Sequence, residues 1–269
     1  MNQKLLPVIK WSGSKRSQSE HIVKLFPKFR KYYEPFLGGG SVLIRANPQI
    51  AIGGDICEPL IDFWETIRDS PKSLVTEYSI RWDDLQKNGY LTYYKIRDSF
   101  NENPNPFDLL FLSRTCVNGL IRFNNDGKFN NSLHHTRKGI HPSRIEKIIF
   151  QWSDLIKNYT FVKGDYVFTT NDATEEDFIY LDPPYFNTVG RYYGKIDHDK
   201  FLDFLEKLNK KNIKFALSFD GQRANKEYLV DLPDSLYERK FLLDSGNSSF
   251  KKVMDKKVEF VRESVYLNY

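Results

Sequence analysis

The sequence predicts an α/β fold in which a largely parallel sheet is interrupted by a mainly helical insertion. Short apolar runs alternate with helical periodicity over the first 60 residues, and this strand–helix–strand order is typical of βαβ units. From about residue 60 to residue 160 the pattern is mostly helical, and strand-like runs then resume. We therefore expect residues 1–60 and 160–269 to form the sheet domain and residues 61–159 to form the insertion.

The elements of the first part follow from apolar spacing and from the residues that interrupt it. Apolar residues recur at helical spacing before Pro27, which ends the first helix. A buried strand then runs directly into three glycines at residues 38–40. The predicted elements are a helix over 15–26, a strand over 32–36, a helix over 41–46, a strand over 50–54 and a helix over 57–69.

The insertion and the second half of the sheet are read in the same way. The break at Asn103-Pro104-Asn105-Pro106 separates two apolar segments, and Asn125-Asp126-Gly127 is a favourable hairpin turn. The segment 107–116 is compatible with a helix or a strand, and 143–157 is an amphipathic helix. The remaining predicted elements are strands over 159–162, 178–181, 214–218, 237–243 and 257–268, with a helix over 197–211.

Composition excludes several classes of protein. The chain has 269 residues and two cysteines, which excludes a small disulfide-stabilised scaffold, and its 40% hydrophobic content excludes a disordered tail. The formal net charge of +5 permits a nucleic-acid partner without requiring one. The cysteines and histidines lack metal-ligand spacing, so no metal is expected. No apolar run is long enough to span a membrane, and the expected location is the cytoplasm with both thiols reduced.

The first motif with chemical content is a glycine-rich turn that follows a strand. Gly38 and Gly40 would allow the backbone to turn sharply and to approach a ligand closely. Asp55 ends the next strand, where an acidic side chain is placed to hold ribose hydroxyls. Asp55 could equally cap a helix, and the glycines could form an ordinary tight turn. Glu34 lies just upstream on a buried strand, where a carboxylate needs a partner.

The second motif is Asp182-Pro183-Pro184-Tyr185, which follows the apolar strand at 178–181. The prolines stiffen the turn, so the carboxylate of Asp182 and the carbonyl of Pro183 become two fixed hydrogen-bond acceptors. A planar exocyclic amine such as N6 of adenine offers two N–H donors that match them. The ring of Tyr185 offers a stacking face for the base. We therefore assign catalysis to these four residues.

In combination, these motifs resemble those of the Dam-type DNA adenine-N6 methyltransferases, and the resemblance covers nearly the whole chain. Lys10-Trp11-Ser12-Gly13-Ser14-Lys15 resembles the family's K-W-x-G-x-K motif, and residues 34–41 resemble its E-P-F-x-G-x-G-x motif. The run from Asn118 to Asn124 resembles its DNA-reading hairpin. No single piece is specific, but their order and spacing are.

The resemblance implies a Rossmann-like sheet that uses S-adenosylmethionine, yields S-adenosylhomocysteine, and carries a mainly helical target-recognition insertion with a β-hairpin. Double-stranded DNA is the implied partner, and a flipped adenine is the implied methyl acceptor. A cognate restriction endonuclease acting separately is a further partner that the resemblance allows. By resemblance and by the reasoning above, the expected cofactor-binding residues are Trp11, Lys15, Glu34, Phe36, Gly38, Gly40, Asp55, Asp165, Tyr166 and Asp182.

The recognition segment is basic and rich in asparagine, as expected of a hairpin that lies in a DNA groove. Two departures from the family's GATC readers make another adenine-containing site at least as plausible an expectation. Val117 stands where those readers commonly have an aromatic residue, and the stretch 132–140 replaces a shorter one. His134 and His135 in that stretch could pack in the hairpin or contact phosphate. The expected DNA-binding residues are Arg114, Asn118, Leu120, Arg122, Asn124, Lys128, Arg137 and Lys138.

Two other functions remain open at this stage. An RNA or cytosine-N4 methyltransferase could use the same four-residue motif, because the motif accepts any amine of suitable shape. A DNA-binding module without turnover is the non-enzymatic alternative, although the intact Asp182 and Gly38 argue against it.

Overall fold

The computed structural model describes residues 5–124, 126–184, 196–223, 226–227, 232–247 and 260–269. Tyr185 and Asn125, which belong to the predicted catalytic motif and hairpin turn, lie outside these ranges. Eight strands are described: β1 (Tyr32–Glu34), β2 (Ala51–Asp55), β3 (Thr160–Lys163), β4 (Phe178–Leu181), β5 (Lys214–Arg223), β6 (Lys226–Glu227), β7 (Arg239–Asn247) and β8 (Phe260–Leu267).

Helices precede, interrupt and cover the sheet. They are α1 (Ser19–Val23), α2 (Ser41–Ala46), α3 (Glu58–Asp69), α4 (Pro71–Asn88), α5 (Tyr90–Glu102), α6 (Pro106–Thr115), α7 (Pro142–Ile156), α8 (Tyr166–Thr169) and α9 (His198–Lys210). The segment 107–116, which the sequence left open, is therefore the helix α6. Among the described residues, the helices are too short or too polar to cross a lipid bilayer.

The strands form one sheet in the order β3-β2-β1-β4-β5-β8-β7, with β6 paired to β5. Strands β1 to β5 are parallel, and β8 runs antiparallel to both β5 and β7. The strand order reverses at β1, which lies between β2 and β4, and such a reversal opens a crevice at the carboxyl ends of the strands. The predicted Rossmann-like α/β fold is confirmed.

Alternation along β4 shows how the sheet divides the core. Phe178 and Tyr180 face a cluster shared with helices α3 to α7, whereas Ile179 and Leu181 face a cluster shared with α9. This period of two places helices on both faces of the sheet. The helical insertion therefore packs directly on one face of the sheet and belongs to the same hydrophobic core.

Several predicted elements differ in extent from the structure; strand β5, for example, continues to Arg223 instead of ending at 218. Helix α1 covers only Ser19–Val23, because residues 15–18 form a turn. In this turn the carbonyl of Lys15 accepts hydrogen bonds from the N–H groups of Gln18 and Ser19. Strand β1 ends at Glu34, because Pro35 has no N–H and the chain then turns towards Gly54. The predicted β-hairpin consists of two isolated antiparallel bridges, Cys116–Leu133 and Phe123–Phe129, rather than regular strands.

Candidate active site

A cavity of about 310 Å³ lies at the carboxyl ends of the parallel strands, beside the point where the strand order reverses. It collects most of the residues that the sequence marks for catalysis and cofactor binding. Those that line it are Trp11, Lys15, Glu34, Phe36, Gly38, Asp55, Asp165, Tyr166, Asp182, Pro183 and Pro184. Residues up to 189 positions apart in the chain, Trp11 and Lys200, therefore contribute to one cavity.

The wall formed by the glycine turn depends on Gly38, which adopts a left-handed backbone with φ +47°. A Cβ at this position would lie 2.7 Å from Cδ1 of Trp11, so only glycine leaves room for the indole ring. The carbonyl of Gly38 accepts a hydrogen bond of 3.1 Å from Nε1 of Trp64 in the core. The turn is thus held between one tryptophan at the cavity and another beneath it.

Asp55, at the end of β2, is fixed by backbone donors from both sides. Its Oδ2 accepts from the N–H of Gly38 at 3.1 Å, and its Oδ1 accepts from the N–H of Cys57 at 3.0 Å. Burial raises the pKa of Asp55 to about 6, and these backbone donors oppose that rise. The carboxylate therefore lies at the cavity wall, and its hydrogen bond with Gly38 stabilises the glycine turn.

Lys15 and Asp182 form a buried ion pair at the opposite wall. Lys15 Nζ lies 2.8 Å from Asp182 Oδ1, and it also lies 3.5 Å from Glu263 Oε2 on β8. Burial raises the pKa of Asp182 to about 6, while the charge of Lys15 lowers it. A charged lysine beside it favours the carboxylate form, which is an acceptor of hydrogen bonds only.

Glu34 is buried on β1 beneath the cavity, and its partner is the hydroxyl group of Tyr32, which donates to Oε2 at 2.7 Å. Burial raises the pKa of Glu34 to about 8, and the nearby charge of Asp182 raises it further. Glu34 is therefore protonated at neutral pH. The partner that a buried carboxylate requires is present, and it lies two residues back on the same strand.

The third wall is formed by the short helix α8 and by α9. Asp165 caps α8 by accepting from Phe168 N at 2.8 Å, and the Tyr166 ring packs against Phe36 at a centroid distance of 5.6 Å. Strand β2 can approach α8 because Gly54 has no side chain: a Cβ there would collide with Thr169. The close packing brings Asp165 and Tyr166 to the same cavity as Asp55.

One predicted cofactor residue lies elsewhere. Gly40 does not line the cavity, and a Cβ on it would meet Trp64 and Trp152 in the core at 3.2 and 3.4 Å. Its left-handed backbone, with φ +62°, turns the chain into α2. The glycine at this position is thus required by packing and by the turn.

Sequence reasoning did not single out several residues that line the cavity. Ile196, Asp197 and Lys200 come from the start of α9, and they are too far along the chain from Asp182 for a spacing argument. Ile56 follows Asp55 directly and could have been found from that position. Val42 also lines the cavity and follows the second motif directly. The remaining lining residues lie within the motifs at 10–15 and 34–41 but were not assigned a role: Ser12, Gly13, Ser14, Pro35, Leu37, Gly39 and Ser41.

The N-terminal segment from Lys10 to Lys15 connects the cavity to the predicted recognition segment. Ser12 Oγ donates to the carbonyl of Ile121 at 3.2 Å, and the Lys10 side chain packs directly on Gly119. Ser14 Oγ lies 2.6 Å from Ser41 Oγ on α2. One short stretch therefore contacts the recognition segment, the glycine turn and Asp182.

The recognition segment lies at the surface. Most residues predicted to contact DNA are exposed on it, and Leu120 presents an apolar side chain that is 42% exposed. Asn118 has a left-handed backbone with φ +57°, which asparagine tolerates better than most residues. The exposed members of the predicted set are Asn118, Leu120, Arg122, Lys128, Arg137 and Lys138.

Two of the residues predicted to bind DNA are engaged in the protein instead. Arg114 is half-buried, and its guanidinium donates to the backbone carbonyls of Pro7 and Val8. Burial lowers the pKa of Arg114 to about 10. Asn124 Oδ1 accepts from the N–H groups of Asp126 and Lys128 at 3.0 and 2.9 Å, so its side chain closes the turn. Their internal hydrogen bonds give both residues structural roles.

The buried Asn131 organises the segment from inside. Its Nδ2 donates to the carbonyls of Val117 and Leu120 at 2.9 and 2.8 Å, and its Oδ1 accepts from Ser132 N. The asparagine-rich composition thus serves partly to hold the loop.

Within the described ranges, no three His, Cys, Asp or Glu side chains come together in a way that could hold a metal ion.

Comparison with known proteins identifies the family. The model of the D12 class N6 adenine-specific DNA methyltransferases matches residues 11–244. The match runs from Trp11 at the cavity wall past Asp182, and it includes the whole recognition segment.

Individual relatives carry names of the same kind. The chain is 29% identical to "Type II methyltransferase M.MjaIII" of Methanocaldococcus jannaschii, with 98% of this chain and 99% of that protein covered. It is 32% identical to the "DNA N-6-adenine-methyltransferase" of Escherichia phage P1, covering 89% of this chain but 31% of the phage protein. It is 30% identical to the "DNA adenine methylase" of Vibrio cholerae over 66% of this chain and 64% of that enzyme. The chain therefore belongs to the D12 class of N6 adenine-specific DNA methyltransferases, as the Dam-type resemblance of its motifs predicted.

Proposed function

We propose that the protein transfers a methyl group from S-adenosylmethionine to N6 of a flipped adenine within one short duplex DNA sequence. The observation that carries this proposal is the buried Lys15–Asp182 pair, which opens on the same cavity as Gly38 and Asp55. A hydrogen-bond acceptor for an amine and a set of residues suited to a nucleoside cofactor thus line one cavity.

The cavity fits the cofactor in size and in chemistry. A volume of about 310 Å³ lies at the lower end of the range for small-molecule sites, about 300–1,000 Å³. We assign the ribose hydroxyls to Asp55, the adenine edge to Asp165 and Tyr166, and the methionine portion to the wall around Trp11 and Gly38. When bound, S-adenosylmethionine supplies a methyl group on a positively charged sulfur.

The residues of the chain hold the acceptor amine. Asp182 accepts one N–H of adenine N6 through its carboxylate, and the carbonyl of Pro183 accepts the other. With both N–H groups fixed, the nitrogen lone pair is directed out of the ring plane. N6 would form a bond to the methyl carbon as the bond from that carbon to sulfur breaks, and N6 would then lose one proton to water. Lys15 keeps Asp182 in the carboxylate form, so we assign it a positioning role. Most of the catalytic gain comes from this orientation.

A base stacked inside a duplex cannot reach an acceptor recessed at the edge of the sheet, so the target adenine must leave the stack. We assign the stacking of the flipped base to the ring of Tyr185, which follows Pro184 in the motif. The same flipping requirement explains why a separate surface must hold the flanking DNA.

We assign that surface to the insertion, residues 61–159. Arg122, whose Nε donates to Asn130 Oδ1 at 3.0 Å, is held in place for a base edge. Asn118 and Leu120 flank it on the same exposed stretch, and Lys128, Arg137 and Lys138 supply positive charge for phosphates. Arg114 and Asn124 are left out, since their side chains are already engaged. Once the recognised DNA site is known, it can be compared with the site cut by a restriction endonuclease that acts separately.

The test is single-molecule sequencing of DNA from a methylation-deficient host that expresses the protein. The expected result is N6-methyladenine in one recurring short sequence, and its absence from the same host expressing Asp182→Ala. Folded wild-type protein with no modified adenine, or full modification by Asp182→Ala, would contradict the proposal. Circular dichroism of both purified proteins establishes that they are folded.

A further inference from the structure

The turn that follows the hairpin is held by a histidine ring rather than by backbone groups. Nδ1 of His134 accepts hydrogen bonds from two successive backbone N–H groups, those of Thr136 at 3.2 Å and Arg137 at 3.1 Å. An imidazole nitrogen accepts only when it carries no proton, so His134 is neutral with its proton on Nε2. The conformation of the turn thus depends on the protonation state of one side chain.

Both flanks of this turn are anchored to the helical insertion. At its start, His134 N donates to the carbonyl of Thr115 at 3.0 Å. At its end, the carbonyl of Lys138 accepts from Gln86 Nε2 at 3.3 Å, and Tyr78 OH donates to the carbonyl of Ile140 at 2.7 Å. With both ends fixed, the His134 ring determines the path of the exposed residues between them.

We propose that His134 is a positioning residue for DNA binding: its neutral ring holds the turn that presents Arg137 and Lys138 to phosphates, and its protonated ring releases that turn. The inference rests on the proposed function, because it assigns Arg137 and Lys138 to DNA. Protonation places a hydrogen on Nδ1, converts this acceptor into a donor, and breaks both hydrogen bonds at once.

The groups that face the ring all act in the same direction. These groups are Arg137 and His135 on the turn and Lys10 on the N-terminal segment. Burial first, and then these charges, lower the pKa of His134 below its usual value of about 6.5. The ring is therefore neutral at pH 7 and becomes charged only when the pH falls through this lowered pKa.

The predicted pH dependence has the opposite sign to ordinary electrostatics. Histidines elsewhere on a DNA-binding surface gain positive charge as the pH falls, and the affinity for DNA then rises. Release of the His134 turn instead removes two phosphate-binding side chains from position, so the affinity falls. The sign alone therefore distinguishes the positioning role from a simple charge effect.

The experiment is a fluorescence anisotropy titration of a labelled duplex carrying the sequence found by the methylation sequencing, from about pH 8 to about pH 5.5 at constant ionic strength. We expect the wild-type affinity to fall about five- to tenfold, as for the loss of one or two hydrogen bonds. We also expect the slope of log affinity against log salt to shrink by about one to two at the lower pH, since fewer phosphates are neutralised.

The informative variant is His134→Asn, because an asparagine oxygen accepts from the N–H two residues ahead and does not titrate. This variant should retain wild-type affinity at about pH 8 and lose the fall at low pH. His134→Ala should bind weakly at every pH. The matched control His135→Asn should keep the fall in affinity, moved to a somewhat higher pH, because it removes one of the groups whose charge lowers the pKa of His134. Near-ultraviolet circular dichroism at each pH shows that the proteins remain folded.

Failure of this inference and failure of the proposed function give different results. An unchanged fall at low pH in His134→Asn, or wild-type affinity that rises as the pH falls, would overturn the inference and leave the proposed function standing. A folded wild-type protein that does not bind the duplex at about pH 8 would overturn the proposed function and this inference with it.

Discussion

The ammonium group of Lys15 lies 2.8 Å from the carboxylate of Asp182, and the two side chains are 6% and 18% exposed. A pair so shielded from water interacts strongly, and removing one partner leaves the other charge buried and uncompensated. The protonation state of Asp182 is therefore tied to the presence of Lys15, although 167 positions separate the two residues in the chain.

This pair predicts the acid side of the pH–rate profile. Asp182 accepts an N–H more strongly as the carboxylate than as the neutral acid. Burial raises its pKa to about 6, so the turnover number of the wild type should fall as the pH drops through about 6. Lys15→Met removes the neighbouring charge and raises the pKa of Asp182, which moves this fall to higher pH. Lys15→Arg keeps the charge and should stay closer to the wild type. Steady-state turnover measured against pH checks this, and identical profiles in Lys15→Met and the wild type would contradict it.

Gly38→Ala should weaken cofactor binding by more than its backbone strain alone. Gly38 and Gly89 both have positive φ, +47° and +58°, so alanine strains the backbone at either position. A Cβ at Gly38 also meets Trp11, whereas nothing lies within 4 Å of a Cβ at Gly89. We expect Gly38→Ala to bind S-adenosylhomocysteine at least about tenfold more weakly by calorimetry, which is about 1.4 kcal/mol. Gly89→Ala should lose stability only; equal affinities in the two variants would count against the Trp11 contact.

Glu34→Gln should change how stability depends on pH. The pKa of Glu34 is about 8 when folded and near 4.5 when unfolded, so only the unfolded chain ionises between these values. The wild-type free energy of unfolding therefore loses this contribution as the pH rises from about 4.5 to about 8, by roughly 2–5 kcal/mol. The Glu34→Gln variant has no ionisable group at this position, so its free energy of unfolding relative to that of the wild type should rise as the pH rises across this window. Urea unfolding at several pH values measures the difference, and a constant difference would refute the assignment.

Arg122→Ala and Lys128→Ala should fail in different ways. Arg122 is oriented by Asn130, so we assign it to a base edge, and its loss should relax the recognised sequence at one position, at a cost of about 1–3 kcal/mol. Lys128 is exposed on the turn and should contact phosphate, so its loss should weaken binding to all sequences alike and reduce the salt slope by about one. Sequencing of methylated sites and salt-dependent binding separate the two; the same relaxed sequence in both variants would contradict the assignments.

Much of the cavity was predictable because the carboxyl ends of parallel strands meet at one edge. Glu34, Asp55 and Asp182 each follow or end an apolar strand, so placing the strands also placed these side chains together. The contact of Lys15 with Glu263 could not be predicted, because it depends on where β8 enters the sheet. Sequence spacing is informative within an element and its turn, and much less so across the sheet.

The recognition segment shows a second limit on what can be predicted from the sequence. Residue type alone does not separate an asparagine that reads a base from one that closes a turn, and Asn124 and Asn131 do the latter. Arg114 illustrates the same limit for charge: its side chain turns inward to the carbonyls of Pro7 and Val8. Exposure, which follows from tertiary packing, decided each of these roles.

The place of β8 in the sheet has a consequence for synthesis on the ribosome. Residues 260–267 form a strand between β5 and β7, so until they have left the exit tunnel β5 has an open edge and Lys15 lacks Glu263. An unpaired edge of this kind is prone to pair with other chains. A nascent chain that has not yet extruded these residues should therefore be more prone to aggregate than one in which β8 has paired with β5 and β7.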